Sequence, residues 1–235
     1  MSRYVLKFQK QGYMKYISHL DLLRLFKRSF KRIEVKLQHS QGFNPHPKMS
    51  FVQPLSLGYT STAEYLEFET IQEEQPDLIV QKLKIAMPEG IGIVACRMLL
   101  PSKKTLAAMV GYARYDLQLH TDSICNWEDK IKDFLEQEKI LILKKQKKTK
   151  NYIEQDIKNM IYEFSVKEIN VDDKYIMFTS LIAAGSISNL NPESMLKCFL
   201  DFIPLPFEKE SISIERKEIY CTNQQDAKPI LIFEM

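Results

Sequence analysis

Glycine is scarce in this 235-residue chain, with only 7 residues, which leaves little material for glycine-rich phosphate loops. No Walker loop, GxGxxG or kinase signature occurs. The four cysteines (Cys96, Cys125, Cys198 and Cys221) stand 29, 73 and 23 residues apart. No CxxC exists, so no knuckle could hold zinc, and an iron–sulfur cluster bound by this chain alone is not expected. The histidines show neither HxH nor HxxxH spacing, and no nucleophile elbow is present. No apolar run approaches the roughly 18 residues of a membrane span. The first residues alternate in polarity and lack a signal-peptide core. The expectation is a soluble, cytoplasmic protein with no membrane association, plain thiols, no metal and no resident cofactor.

The composition that remains is ordinary for a globular protein, at 45% hydrophobic and 27% charged. The length suits one large domain or two small ones. The net charge of +3 hides a strong asymmetry. Residues 1–50 hold eleven Lys or Arg against two acids, Asp21 and Glu34, a balance of +9. The other 185 residues hold 22 basic and 28 acidic side chains, a balance of −6. A basic N-terminal third points to a polyanion, most plausibly nucleic acid, with an acidic protein surface as the alternative.

Patterning places a strand at 3–9 and a helix at 19–33, with Ser18 as its cap and Asp21 in the Glu position of a capping box. Strands follow at 35–39, 49–53 and 64–71, then a helix opened by Pro76 and a strand at 91–99. The second half repeats the order. It has a strand at 110–120, a helix capped by Ser123 to about 138, a strand at 140–144 and a basic run at 144–150. Strands at 161–169 and 175–183, a helix at 192–202 and a strand at 211–221 complete it. This order predicts an α+β fold of two fused ferredoxin-like (split βαβ) units with antiparallel sheets. The first spans 1–100 and the second 101–235.

The helix at 19–33 is two-sided. Leu22, Leu25, Phe26, Phe30 and Ile33 mark a buried stripe, while Arg24, Lys27, Arg28 and Lys31 fall elsewhere, with Arg32 nearby. That cationic side is either a phosphate-contacting surface or a solvated face. His19, in the first turn, is a candidate acid–base group or a structural residue. The stretch Ser40-Gln41-Gly42-Phe43-Asn44-Pro45-His46-Pro47-Lys48 is the most unusual in the chain. Two prolines stiffen it, and it presents amide, imidazole and ammonium groups that packing alone does not demand. His39 and His120 end predicted strands and are weaker candidates.

Tyr16-Ile17-Ser18-His19-Leu20-Asp21-Leu22-Leu23-Arg24, the 40–48 stretch, Pro54-Leu55-Ser56-Leu57-Gly58 and Glu64-Tyr65-Leu66-Glu67-Phe68 together resemble one bacterial family. It is an uncharacterised radical-SAM-associated family, a domain of unknown function found alone or fused to the C-terminus of cobalamin-binding radical SAM proteins. The resemblance implies partnership with such an enzyme and a setting in RNA or ribosome biology. The chain lacks the CxxxCxxC of the radical SAM cluster, so it is not that enzyme. A fainter likeness, of layout only, is to repeat-associated RNA-binding proteins that pair ferredoxin-like units and can cleave RNA with a histidine.

The leading expectation is a non-catalytic module that presents rRNA or tRNA to a radical SAM partner. Arg24, Lys27, Arg28, Lys31 and Lys48 would contact phosphates, Phe43 would stack on a base, and Gln41 and Asn44 would read base edges. The alternatives are an RNA-acting enzyme with His19 and His46 as acid and base, and a protein-only scaffold for the same partner.

Overall fold

Alternating polarity from Ser2 to Lys10 forms the first strand, β1 (Ser2–Lys10), which turns Tyr4, Leu6 and Phe8 toward one face. A computed structural model describes residues 2–100, 102, 104–123, 125–145, 151–223 and 227–234. Helix α1 (His19–Arg32) lays Leu22, Phe26 and Phe30 on that face, with Phe8 and Phe26 meeting edge to face at 4.8 Å. Strands β2 (Met49–Phe51) and β3 (Thr60–Thr70) follow, then α2 (Pro76–Ala86) and β4 (Ile91–Leu99). Leu66 and Phe68 of β3, Ile79 and Leu83 of α2, and Ile91 and Ile93 of β4 complete the core. Burying each such side chain is worth about 1.5–3 kcal/mol. The pairs β1–β3, β1–β4 and β2–β3 are antiparallel, in the order β4-β1-β3-β2.

The second set comprises β5 (Val110–His120), α3 (Trp127–Glu136), β6 (Leu141–Lys145), β7 (Tyr152–Asp156), β8 (Ile161–Asn170), β9 (Tyr175–Ala183), α4 (Pro192–Phe202) and β10 (Ile212–Thr222). A short β11 (Pro229–Leu231) pairs with β10. The order here is β10-β5-β9-β8, with β5–β9 and β8–β9 antiparallel, while β6 and β7 form a separate hairpin. Phe134 of α3, Phe199 of α4, Phe164 and Phe178 form an aromatic core in which Phe164 and Phe199 stand 5.2 Å apart. The protein is α+β, with mostly antiparallel strands and four α-helices among the described residues.

The chain forms two units, one running to Val110 and taking the chain up again from Arg216, the other Gly111–Glu215. Strand β10 therefore changes unit midway, whereas the sequence expectation put a single boundary at 100/101. The physical reason is Arg216. This side chain is fully buried; its Nε donates to Glu64 Oε1 at 2.8 Å, and its Nη1 and Nη2 donate to the carbonyls of Pro54 and Gln53 at 3.2 and 2.9 Å. Ser61 Oγ donates to the Arg216 carbonyl at 3.1 Å. Burial holds the nearby Lys10 ammonium below its usual range, opposed by Glu64 and reinforced by Arg216.

Other local expectations shift. Residues 35–39 form no strand: they make single bridges, Leu37 to Thr70 and His39 to Pro47. Pro47 has no N–H to extend a ladder. The cap of α3 is Asn126, whose side chain accepts from Asp129 N, rather than Ser123. The hairpin partner β7 and the short β11 have no counterpart in the sequence expectation. Cys96 and Cys221 are buried, and burial pushes both thiols up to about 12.

Replacing Arg216 with Met leaves Glu64 buried without its main partner. The expected loss is about 3–5 kcal/mol of stability, read from urea unfolding at neutral pH. The double variant Glu64→Leu, Arg216→Met is expected to recover part of it. A single-variant loss under about 1 kcal/mol, the range of exposed pairs, would contradict this role.

Candidate functional site

Helix α1 begins where Ser18 Oγ accepts from the Asp21 N–H at 3.1 Å. The Asp21 carboxylate does not reach back to the Ser18 N–H as a capping box requires. Instead it accepts from Ser18 Oγ at 2.7 Å and from Arg24 Nη1 at 2.8 Å. These two hydrogen bonds hold its carboxyl below the usual carboxylate range. Arg24 is therefore charge-balanced, and Arg28 also acts on Asp21 through its charge. Arg32 turns away and donates to the Ala86 carbonyl at 3.1 Å. Lys27 and Lys31 are exposed and form no ion pair with any described residue.

The 38–48 stretch is a closed, stapled loop. The Ser40 N–H donates to the His46 carbonyl at 2.8 Å, and the His46 N–H to Ser40 Oγ at 3.0 Å. At its base, the Lys48 N–H donates to the Gln38 carbonyl, the Gln38 N–H to the Glu69 carbonyl and the Glu69 N–H to the Lys48 carbonyl, at 2.7–3.0 Å. Gly42 takes φ +128°, which side chains other than hydrogen rarely adopt, and so permits the turn at the tip. Gln41, Phe43, Asn44 and His46 are exposed, and the Phe43 ring is fully so. Lys48 is not free: its Nζ pairs with Glu69 Oε2 at 2.8 Å.

His19 is exposed, with its ring edge-on to Phe51 at 5.2 Å. His46 lies beyond the other end of β2. Among the described residues no contact joins the two imidazoles.

The end of α1 and the segment after it enclose a groove of about 680 Å³. Phe30, Leu37, Pro47 and Ile71 contribute apolar walls, and Lys27, Lys31, Lys36 and His39 contribute polar ones, against the single acid Glu34. Lys36 is the member that sequence reasoning passed over, and His39 is one that it placed among the weaker candidates. Alternation over Val35-Lys36-Leu37, with Val35 and Leu37 buried, was the signal that Lys36 points outward. Lys144 and Lys145 of the second basic run end β6; residues 146–150 lie outside the described residues.

The back of the first unit's sheet is a self-satisfied polar surface. Arg3 pairs with Glu67 at 2.6 Å, and Lys7 with Glu218 at 2.6 Å, while Tyr65 OH also donates to Glu218. The Phe233 ring packs on Tyr65 at 5.8 Å and lies under Arg97. Cations on this face are committed internally. Among the described residues, no cluster of three His, Cys, Asp or Glu could hold a metal ion, and no helix is long and apolar enough to cross a membrane.

Residues 3–192 match a family described as uncharacterized protein conserved in bacteria (DUF2344). The chain belongs to that family. Among curated proteins, none matches the sequence. Three solved structures are similar in outline, all at low identity. A Cbf5–Nop10–Gar1 complex aligns with TM-score 0.49 and 11% identity, over 92% of this chain and 48% of that one. An archaeal box H/ACA sRNP Nop10–Cbf5 complex aligns with TM-score 0.42 and 10% identity, over 91% and 46%. An unknown protein from Galdieria sulphuraria aligns with TM-score 0.25 and 10% identity, over 92% and 96%. The DUF2344 chain spans about half the length of the first two, and none of the three is close enough to carry an argument.

Because Asp21 titrates below its unfolded value, it contributes stability that is complete above the unfolded pKa and lost as pH falls through the folded one. Asp21→Asn is expected to melt below wild type at pH 7. The gap should close as pH is lowered below about 4, the ordinary carboxylate value. A gap that persists at pH 2 would locate the effect elsewhere.

Proposed function

We propose that this DUF2344 protein is an RNA-binding accessory module that presents an RNA, rRNA or tRNA, to a radical SAM partner in the cytoplasm. The observation that carries the RNA reading is the set of lysines with no ion pair among the described residues, Lys27, Lys31 and Lys36, beside a stapled loop whose aromatic tip is bare. Cations without internal partners keep their full attraction for phosphate, whereas Arg24 and Lys48 must first leave Asp21 and Glu69. Arg28 continues the same helix, Phe43 offers a stacking ring, and Gln41 and Asn44 flank it with base-edge donors and acceptors. We infer further that both units are ferredoxin-like. The orders β4-β1-β3-β2 and β10-β5-β9-β8 support this, since each places the last strand beside the first.

The radical SAM partnership rests on the motif resemblance. Exposed apolar groups favour a protein partner: Tyr13, Tyr16, Leu20 and Leu57 are all exposed, and the Gly58 N–H donates to the carbonyl of Lys15, the residue before the 16–24 motif, at 2.9 Å. The acid–base reading needs both imidazoles at one phosphodiester, and no contact between His19 and His46 supports it.

Replacing Lys27, Arg28 and Lys31 together by Ala is expected to weaken RNA binding. It should also lower the log–log salt slope by about 2, at roughly 0.7 per phosphate contact on single strands. Filter binding of cellular RNA at several salt concentrations measures both. Unchanged affinity and slope would sink the RNA reading.

A further inference from the structure

The groove beside α1 is more than a charged surface. Its volume of about 680 Å³ falls inside the roughly 300–1,000 Å³ of small-ligand pockets. It combines an apolar floor with cations on its rim, the two chemistries that a nucleotide presents as base and phosphate. We propose that it seats one unpaired ribonucleotide of the bound RNA. This rests on the RNA reading above and specifies the substrate as single-stranded at that point.

Three features carry the assignment. First, the rim is charge-complementary to a phosphodiester: Lys27, Lys31 and Lys36 face a single carboxylate, Glu34. Second, the floor suits a planar base. Pro47 and the half-exposed Ile71 offer apolar surface that a base can contact, with Phe30 and Leu37 buried behind them. In a duplex, bases are stacked inside and cannot reach such a floor, so only an unpaired nucleotide fills it. Third, His39 Nδ1 lies 3.1 Å from the Leu37 carbonyl, which can only accept. The neutral ring therefore carries its proton on Nδ1, and Nε2 is left as an acceptor on the groove wall. A ribose 2′-hydroxyl is a donor that such a nitrogen can take, and it is the group that separates RNA from DNA.

The test is fluorescence anisotropy of the full-length protein with a short labelled RNA strand of mixed sequence, its duplex, and the 2′-deoxy strand. Wild type is expected to prefer the RNA strand over the duplex by about five- to tenfold, the effect of one stacked base at the lower end of its range. Ile71 is half-exposed, so Ile71→Trp fills the groove from an accommodating position and should remove that preference while the salt slope remains. His39→Phe should reduce the preference of RNA over the deoxy strand. Circular dichroism of both variants verifies the fold.

Equal binding of strand and duplex, or wild-type strand affinity in Ile71→Trp, overturns the groove assignment and leaves the RNA reading intact if the salt slope persists. Displacement of the strand by free nucleoside monophosphates at matched concentration overturns it in favour of a free nucleotide. Failure of every RNA form to bind at low salt overturns both readings and reassigns the groove to an acidic protein segment.

Discussion

Arg216 and Glu64 are 152 residues apart in sequence and form a buried, bidentate ion pair on which the first unit is built. A guanidinium taken out of water costs several kcal/mol unless its donors are met. Here Glu64 and the carbonyls of Gln53 and Pro54 meet them, so one side chain fixes β3, β10 and the turn after β2 together. The stapled loop at 38–48 hangs from the far end of that same β3, through Glu69. The geometry of the candidate site is thus set by a strand whose other end is locked by a charge pair.

Charge in the first unit is consequently sorted into two kinds. Arg3, Lys7, Arg24, Lys48 and Arg216 are matched with Glu67, Glu218, Asp21, Glu69 and Glu64, and they hold the fold or its loops. Lys27, Lys31 and Lys36 make no such match among the described residues. Five of the basic groups in the N-terminal excess or its partner strand are occupied internally. The working electrostatic surface is therefore smaller than composition implies, and it is concentrated at one end of α1.

Regular elements were legible because periodicity reports burial. The strand at 91–99, the helix at 192–202 and the strand at 175–183 lie where their patterns put them. The 35–39 segment misled because Val35 and Leu37 alternate as a strand does, yet Pro47 opposite cannot sustain a ladder. For the site, the helix cations and the exposed loop were readable as side-chain types. Which cations were already neutralised was legible only for Arg24, whose partner Asp21 lies three residues back on the same helix; Glu69 and Glu67 acquire theirs only through the fold. Motif residues such as Glu64 and Glu67 read as family marks in the sequence; in three dimensions they are anchors. His39 was undervalued because its role depends on a carbonyl two residues away and a groove wall formed by Pro47.

Strand β10 belongs to the second unit up to Glu215 and to the first from Arg216 onward. During synthesis at about 5–20 residues per second, the ribosome must make the whole second unit after β4 before Arg216 appears. For several seconds Glu64 has emerged with the first unit's framework but without the guanidinium that pairs with it. The first unit, although it comes first off the ribosome, is the last to be finished.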